Sequence, residues 1–240
     1  MKKITLSFLL VMLLSAGCQT VRPDNVVLDC PVAISGYTDT NDLSDFIEFV
    51  DQKTFAIINK YNPSFHKQVK VILYPSVEAL HEAQRRKNAP DWSVGSARSN
   101  GDIWMVNPYC SSVHDYDEMK KILIHEYTHV VISSINKSIP IWLNEGIACY
   151  EADQNKDAET VDYIKRQAEA GLIPNYWEID KDHSTGNVYI YARSIVEYIK
   201  DQYSLESLKR FILCTDTKKV FGISRKEFQE GWKKYIIEKY

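Results

Sequence analysis

The sequence predicts an α+β fold in which a small mixed sheet layer is followed by a mostly helical half. Apolar and β-branched residues cluster over strand-like lengths at 69–74 and 102–106. From residue 115 onward, apolar residues recur at helical spacing almost without interruption. The 240 residues are 45% hydrophobic and 25% charged, which is typical of a folded domain and excludes a disordered chain. We therefore predict one domain at 41–240, with an α+β part at 41–114 and a helical part at 115–240.

Residues 1–17 have the features of an export signal. Lys2 and Lys3 precede an apolar run, Ile4–Leu14, that is too short to span a bilayer stably, and small residues follow it. The five residues that end at Cys18 resemble a bacterial lipobox, whose cysteine becomes the lipidated first residue of the mature protein. The sequence thus predicts an exported lipoprotein of the cell envelope, anchored in a membrane through Cys18 and facing the periplasm or the cell exterior. A cleaved signal without lipid is the alternative, because Ser15 replaces the aliphatic residue usual in a lipobox.

The other elements follow from local patterns. Residues 18–40 are mostly polar or turn-forming and are predicted to be a tether. Asp115 with Glu118 and Pro140 mark helix starts, and Gly171 marks a helix end. Helices are predicted at 41–61, 76–86, 115–135, from 140 onward, and at 158–170, 188–203, 205–213 and 224–240. Strands are predicted at 69–74 and, as a hairpin, at 93–98 and 102–106.

The net charge bears on the class of partner, and the cysteines bear on possible disulfides. A net charge of −3 leaves no basic surplus for a phosphate backbone, so nucleic acid is not expected as a partner. Apart from Cys18, the chain contains Cys30, Cys110, Cys149 and Cys214. In an exported protein these permit disulfides, but their spacing selects no pairing, and buried free thiols are the alternative.

The strongest chemical signal is the H-E-x-x-H pattern at residues 125–129. His125 and His129 lie four residues apart, so a helix places both imidazoles on one face, where they can bind one ion. Glu126 lies beside His125, where its carboxylate can act as a general base on water. A chain of this composition contains such a pattern by chance about 0.01 times. The pattern therefore predicts a catalytic Zn²⁺ site.

A catalytic zinc site takes three protein ligands and leaves one position open for water. Ile132 and Ile135 stand where the metzincin pattern has Gly and His, which excludes that class. A turn at residues 136–140 leads into the next helix. If this helix runs antiparallel to the one that carries the histidines, Glu145 lies level with His129. Glu145 is therefore the predicted third ligand.

Residues 142–148, Trp-Leu-Asn-Glu-Gly-Ile-Ala, resemble the glutamate helix of the M1 aminopeptidases. The region 120–151 is similar to the compact peptidase MA-like proteins, which share with the M1 enzymes the gluzincin ligand set of two histidines and a downstream glutamate. The resemblance implies a zincin-like metallopeptidase core. Only 15 residues separate His129 from Glu145, fewer than in M1 enzymes, and the Gly-Ala-Met-Glu-Asn segment that binds a substrate's free amine is missing. Aminopeptidase specificity is therefore not implied.

The same resemblance implies two features of substrate binding. A tyrosine of the helical half donates its hydroxyl to the developing oxyanion in gluzincins of this type, and Tyr191 matches that position best, with Tyr189 as its rival. Residues 102–106 resemble the edge strand along which zincins pair an extended peptide.

The histidines without a partner at ligand spacing are expected to face solvent or cap helices; they are His66, His81, His114 and His183.

Together these patterns predict an exported, membrane-anchored zinc peptidase of gluzincin type. It would hydrolyse bonds of a peptide or protein substrate with a metal-activated water and Glu126 as general base. The first alternative is a pseudo-peptidase, a lipoprotein that keeps zinc and binds without catalysis. The second is a helical lipoprotein in which the motif is coincidental and no metal binds.

Overall fold

The computed structural model describes residues 19–21, 26–29, 43–181 and 187–240. The predicted signal peptide at 1–17, the predicted lipidation residue Cys18 and most of the predicted tether lie outside the described residues. Within them, the chain is α+β and mostly helical with a small mixed sheet, which confirms the predicted fold class at that level. None of the described helices is long and apolar enough to cross a membrane.

In the described part of the chain, five short strands form one mixed sheet with the order β1-β2-β3-β5-β4. Their bounds are β1 Gln19–Val21, β2 Val26–Asp29, β3 Val69–Tyr74, β4 Gly95–Ala97 and β5 Ile103–Val106. The central strand β3 pairs in parallel with β2 and β5, whereas β1 with β2 and β4 with β5 are antiparallel pairs. Alternate residues of β3 are buried, namely Val69, Val71 and Leu73. One face of β3 therefore packs into a core, as its apolar pattern predicts.

The sheet differs from the sequence-based prediction in two respects. Strands β1 and β2 lie in the segment predicted as a tether, because strands of three and four residues are too short to give a recognisable period. The prediction that residues 102–106 form an edge strand is wrong, since β5 lies between β3 and β4. The edge strand on that side is β4. A hairpin pattern in sequence does not tell which of its two strands pairs onward with the rest of the sheet.

The described helices agree closely with the predicted ones. Their bounds are α1 Ser44–Tyr61, α2 Val77–Ala83, α3 Tyr116–Ile135, α4 Ile141–Glu151, α5 Ala158–Glu169, α6 Asn187–Gln202, α7 Leu205–Leu213, α8 Thr217–Phe221 and α9 Arg225–Lys239. The sequence analysis missed α8 and a 3-10 helix at Tyr176–Lys181, which are too short for helical periodicity to show.

The chain divides into two compact units. Of the described residues, those up to 52 and those at 66–116 form the first unit, which contains the sheet and α2. Those at 53–65 and from 117 onward form the second unit, which contains α4 to α9 and nearly all of α3. Every predicted zinc ligand lies in the second unit.

Within the second unit, α4 packs along α6, and Gly146 permits their close approach. A Cβ atom at Gly146 would lie 2.5 Å from the carbonyl oxygen of Ala192 and 2.9 Å from Cγ2 of Val196. Both distances are shorter than van der Waals contact, so only glycine fits without a shift of the backbone. Because Gly146 directly follows Glu145, this packing also fixes where the predicted third ligand lies.

We expect Gly146→Ala to lower the free energy of unfolding by about 1–3 kcal/mol, since the added methyl group meets backbone atoms that cannot move aside alone. Urea denaturation measures the loss. A free energy of unfolding equal to that of wild type in Gly146→Ala would contradict the role given to Gly146.

Candidate metal centre

The structure brings the three predicted metal ligands together. His125 and His129 lie one turn apart on α3, and their Nε2 atoms are 3.0 Å from each other. Oε2 of Glu145, on α4, lies 3.2 Å from Nε2 of His125 and 3.5 Å from Nε2 of His129. The three donor atoms converge on one point, as the helical spacing and the antiparallel return predict.

The turn between α3 and α4 is held by hydrogen bonds with residues from later in the chain. Asn136 donates a hydrogen bond of 2.7 Å to the carbonyl oxygen of Ile212. Asp180, in the 3-10 helix, accepts hydrogen bonds of 2.9 and 2.6 Å from the backbone N–H groups of Ile141 and Trp142. These N–H groups are unpaired within a helix, so Asp180 caps α4 from outside it. The cap fixes the start of α4, one turn before Glu145.

The three side chains also bias each other's ionisation. Burial opposes a charge on His125, but contacts with Cys149 and Glu145 outweigh it and raise the pKa of His125 well above its ordinary value. Burial likewise opposes ionisation of Glu145, yet the imidazoles of His125 and His129 hold the pKa of that carboxyl well below its ordinary range. Glu145 is therefore a carboxylate at neutral pH, ready to bind a cation.

This donor set fits a divalent metal ion. Two imidazole lone pairs 3.0 Å apart repel each other unless a proton or a cation lies between them. Oε2 of Glu145 is buried and has no hydrogen-bond partner among the described residues, although both imidazole Nε2 atoms lie within 3.5 Å of it. Two nitrogens and one carboxylate oxygen are the protein ligands of a three-ligand zinc site. The residues present thus fit the predicted metal.

Side chains beyond the motif complete the surroundings of His125. Nδ1 of His125 lies 2.8 Å from Oε1 of Gln154, in the loop after α4. Cys149 lies four residues after Glu145 on α4, and its Sγ is 3.9 Å from the same nitrogen. Glu126 follows His125 on α3 and is half-buried. The sequence analysis missed Gln154, because residues 153–156 are all polar and are typical of a solvent-exposed loop.

Tyr191, the predicted oxyanion donor, is buried in the second unit. Its ring packs edge-to-face on Trp232 with centroids 6.2 Å apart. Burial and a hydrogen bond with Tyr163 raise its pKa above the ordinary value. Among the described residues, these contacts link Tyr191 to α5 and α9, and none links it to the three metal ligands. Tyr189, its rival, is 41% exposed.

The remaining histidines and cysteines lie apart from the ligand cluster. His66 is exposed, and Nε2 of His114 lies 3.1 Å from the carbonyl oxygen of Trp92. The expectation that His81 faces solvent or caps a helix is wrong, because His81 is buried with Nε2 2.9 Å from the carbonyl oxygen of Ser93. His183 and Cys30 lie outside the described residues. The cysteines among the described residues are free thiols, namely Cys110, Cys149 and Cys214.

No protein-family model matches this chain, and no curated protein matches it. The side chains of the candidate metal centre and their geometry are therefore the basis for a functional proposal.

Proposed function

We propose that this protein is a zinc-dependent peptidase of gluzincin type with a zincin-like core. One observation carries the proposal, namely the convergence of His125, His129 and Glu145 on one point next to Glu126. Two imidazoles and one carboxylate match the ligands of catalytic rather than structural zinc sites, which usually have four protein ligands. His125, His129 and Glu145 would hold Zn²⁺.

The bound ion would supply Lewis acidity toward a peptide carbonyl and would lower the pKa of water at the site. Glu126 supplies the proton transfers: its carboxylate takes a proton from the attacking water and passes it to the nitrogen of the leaving amine. The peptide bond breaks, and the products are a carboxylic acid and an amine. The oxyanion role of Tyr191, with Tyr189 as its rival, stays a prediction from the family resemblance.

Metal analysis of the purified full chain, combined with hydrolysis of a mixed peptide library, tests the proposal. We expect one zinc ion per chain and peptide cleavage that a chelator abolishes and added Zn²⁺ restores. Stoichiometric zinc without any cleavage would instead support the pseudo-peptidase. A chain without metal affinity would show that the H-E-x-x-H pattern is coincidental.

We further propose that the protein is an exported lipoprotein anchored through Cys18. The support is the order of basic, apolar and small residues before Cys18. Cys18→Ser should move the protein from the membrane fraction to the soluble exported fraction without change in metal binding, because the lipid would lose its attachment site. Cys214→Ser removes a different free thiol and should leave the protein in the membrane fraction. An unchanged distribution of Cys18→Ser would rule out this anchor.

A further inference from the structure

The imidazole of His125 is oriented by a side chain that the motif does not contain. Nδ1 of His125 is 2.8 Å from Oε1 of Gln154, a normal hydrogen-bond distance. When Nδ1–H donates to this amide oxygen, Nε2 keeps its lone pair and points toward Glu145 and His129. The geometry points to Gln154 as a positioning residue that fixes the ring and the tautomer of His125 for metal binding. This inference rests on the proposed metal site.

The loop that carries the side-chain amide of Gln154 has an uncommon backbone conformation. Asp153 and Asn155, on either side of it, both have left-handed backbone conformations, with φ of 60° and 56°. Residues other than glycine adopt this region rarely, although Asp and Asn tolerate it better than most. Two such residues flanking one side chain require a specific fold of the loop. The loop therefore depends on contacts that hold it in place.

Arg193 of α6 supplies several of those contacts. Its guanidinium is buried and donates hydrogen bonds of 3.0 Å from Nη1 to the carbonyl oxygens of Gln154 and Cys149. It also pairs with Glu197 at 2.9 Å. A buried arginine that bonds backbone carbonyls at the end of α4 and in the loop fixes the two segments relative to each other. The backbone of Gln154 is therefore held in a fixed position.

Asn155 adds a second anchor on the other side of Gln154. Its Nδ2 donates to the carbonyl oxygen of Tyr189 at 2.8 Å and lies 3.4 Å from Sγ of Cys149. The second contact is with the thiol that lies 3.9 Å from Nδ1 of His125. A thiol is a weak acceptor, so the amide oxygen of Gln154 is the stronger partner for Nδ1–H.

The two histidines differ in this respect. Nδ1 of His129 is buried and has no hydrogen-bond partner within the described part of the chain. An outer hydrogen bond therefore orients His125, and His129 has no such bond at its Nδ1 within the described residues. Outer partners of metal-binding histidines typically contribute about 10- to 100-fold to metal affinity. Gln154 should have an effect of that size.

Three variants of the full chain test this role. Gln154→Met keeps the length of the side chain but removes the acceptor, Gln154→Glu keeps an acceptor oxygen, and Gln52→Met makes the same change at an exposed glutamine of α1. Zinc affinity is measured by competition with a chelator, and the visible spectrum of the Co²⁺-loaded protein reports the ligand geometry. The melting temperature of the metal-free chain reports stability separately.

We expect Gln154→Met to lower zinc affinity about 10- to 100-fold and to alter the Co²⁺ spectrum, with a melting temperature near wild type. Gln154→Glu should restore tight binding, and Gln52→Met should match wild type. Wild-type affinity in Gln154→Met, or equal weakening in Gln154→Met and Gln154→Glu, would overturn the inference. A wild-type chain that binds zinc but cleaves no peptide would contradict the proposed peptidase alone, whereas one that binds no zinc would overturn both proposals.

Discussion

Glu145→Ala should abolish stoichiometric zinc binding and peptide hydrolysis together. The variant keeps two imidazoles one helical turn apart, which is one ligand too few for a catalytic zinc site. It also removes the only carboxylate of the cluster, and with it the negative charge that favours a cation between His125 and His129. Zinc affinity should therefore fall by more than the roughly 100-fold expected when an outer partner is lost. Metal analysis after dialysis, followed by a peptide cleavage assay, measures both effects.

A matched control separates the loss of a ligand from the loss of a glutamate. Glu238 is a glutamate of α9 whose side chain is 64% exposed and pairs with Lys234 at 3.6 Å. Glu238→Ala should therefore keep both zinc and activity. His129→Ala should behave like Glu145→Ala, because both remove one of the three converging donors. Retention of one zinc ion per chain by Glu145→Ala would show that the third ligand lies elsewhere.

Glu126→Gln should separate metal binding from turnover. The substitution keeps the size of the side chain and removes its basicity, so the variant should bind zinc as wild type does. Without a general base, the rate of peptide hydrolysis should fall by about 10²-fold or more. Steady-state kinetics on a cleaved library peptide, with zinc content measured on the same samples, gives both quantities.

Glu118→Gln is the corresponding control for this variant. Glu118 lies on the same helix as Glu126 and is exposed. Glu118→Gln should therefore hydrolyse peptides at the wild-type rate. A wild-type rate in Glu126→Gln would contradict the proposed mechanism, even if zinc binding by His125, His129 and Glu145 is normal.

The ligand cluster could be predicted from the sequence because its geometry is local. Two histidines four residues apart on a helix must share a face. The short turn before α4 leaves few possible positions for Glu145. The assumption that α4 runs antiparallel to α3 was therefore sufficient to place it. Strand β3 and most of the helices were predictable for the same reason, since each has a clear period within its own length.

The support of the cluster could not be predicted because it is not local. Gln154 reaches His125 only through a loop with two left-handed residues, and Arg193 reaches that loop from α6, about forty residues later in the chain. Asp180 caps α4 from a 3-10 helix that has no periodic signal. The close approach at Gly146 also depends on α6. In each case the partner is set by long-range packing, on which local residue patterns carry no information.

Zinc K-edge X-ray absorption on the full chain, loaded with one equivalent of Zn²⁺, tests the central claim most directly. The proposed site predicts two imidazole nitrogens, one carboxylate oxygen and one oxygen that does not come from the protein, all at about 2.0–2.2 Å from zinc. Sγ of Cys149 lies 3.9 Å from Nδ1 of His125, the ring nitrogen that does not face the other two ligands, so no sulfur should bind zinc. A sulfur ligand at about 2.3 Å, or outer-shell scattering from more than two imidazoles, would show a ligand set other than His125, His129 and Glu145 and would contradict the proposed catalytic site.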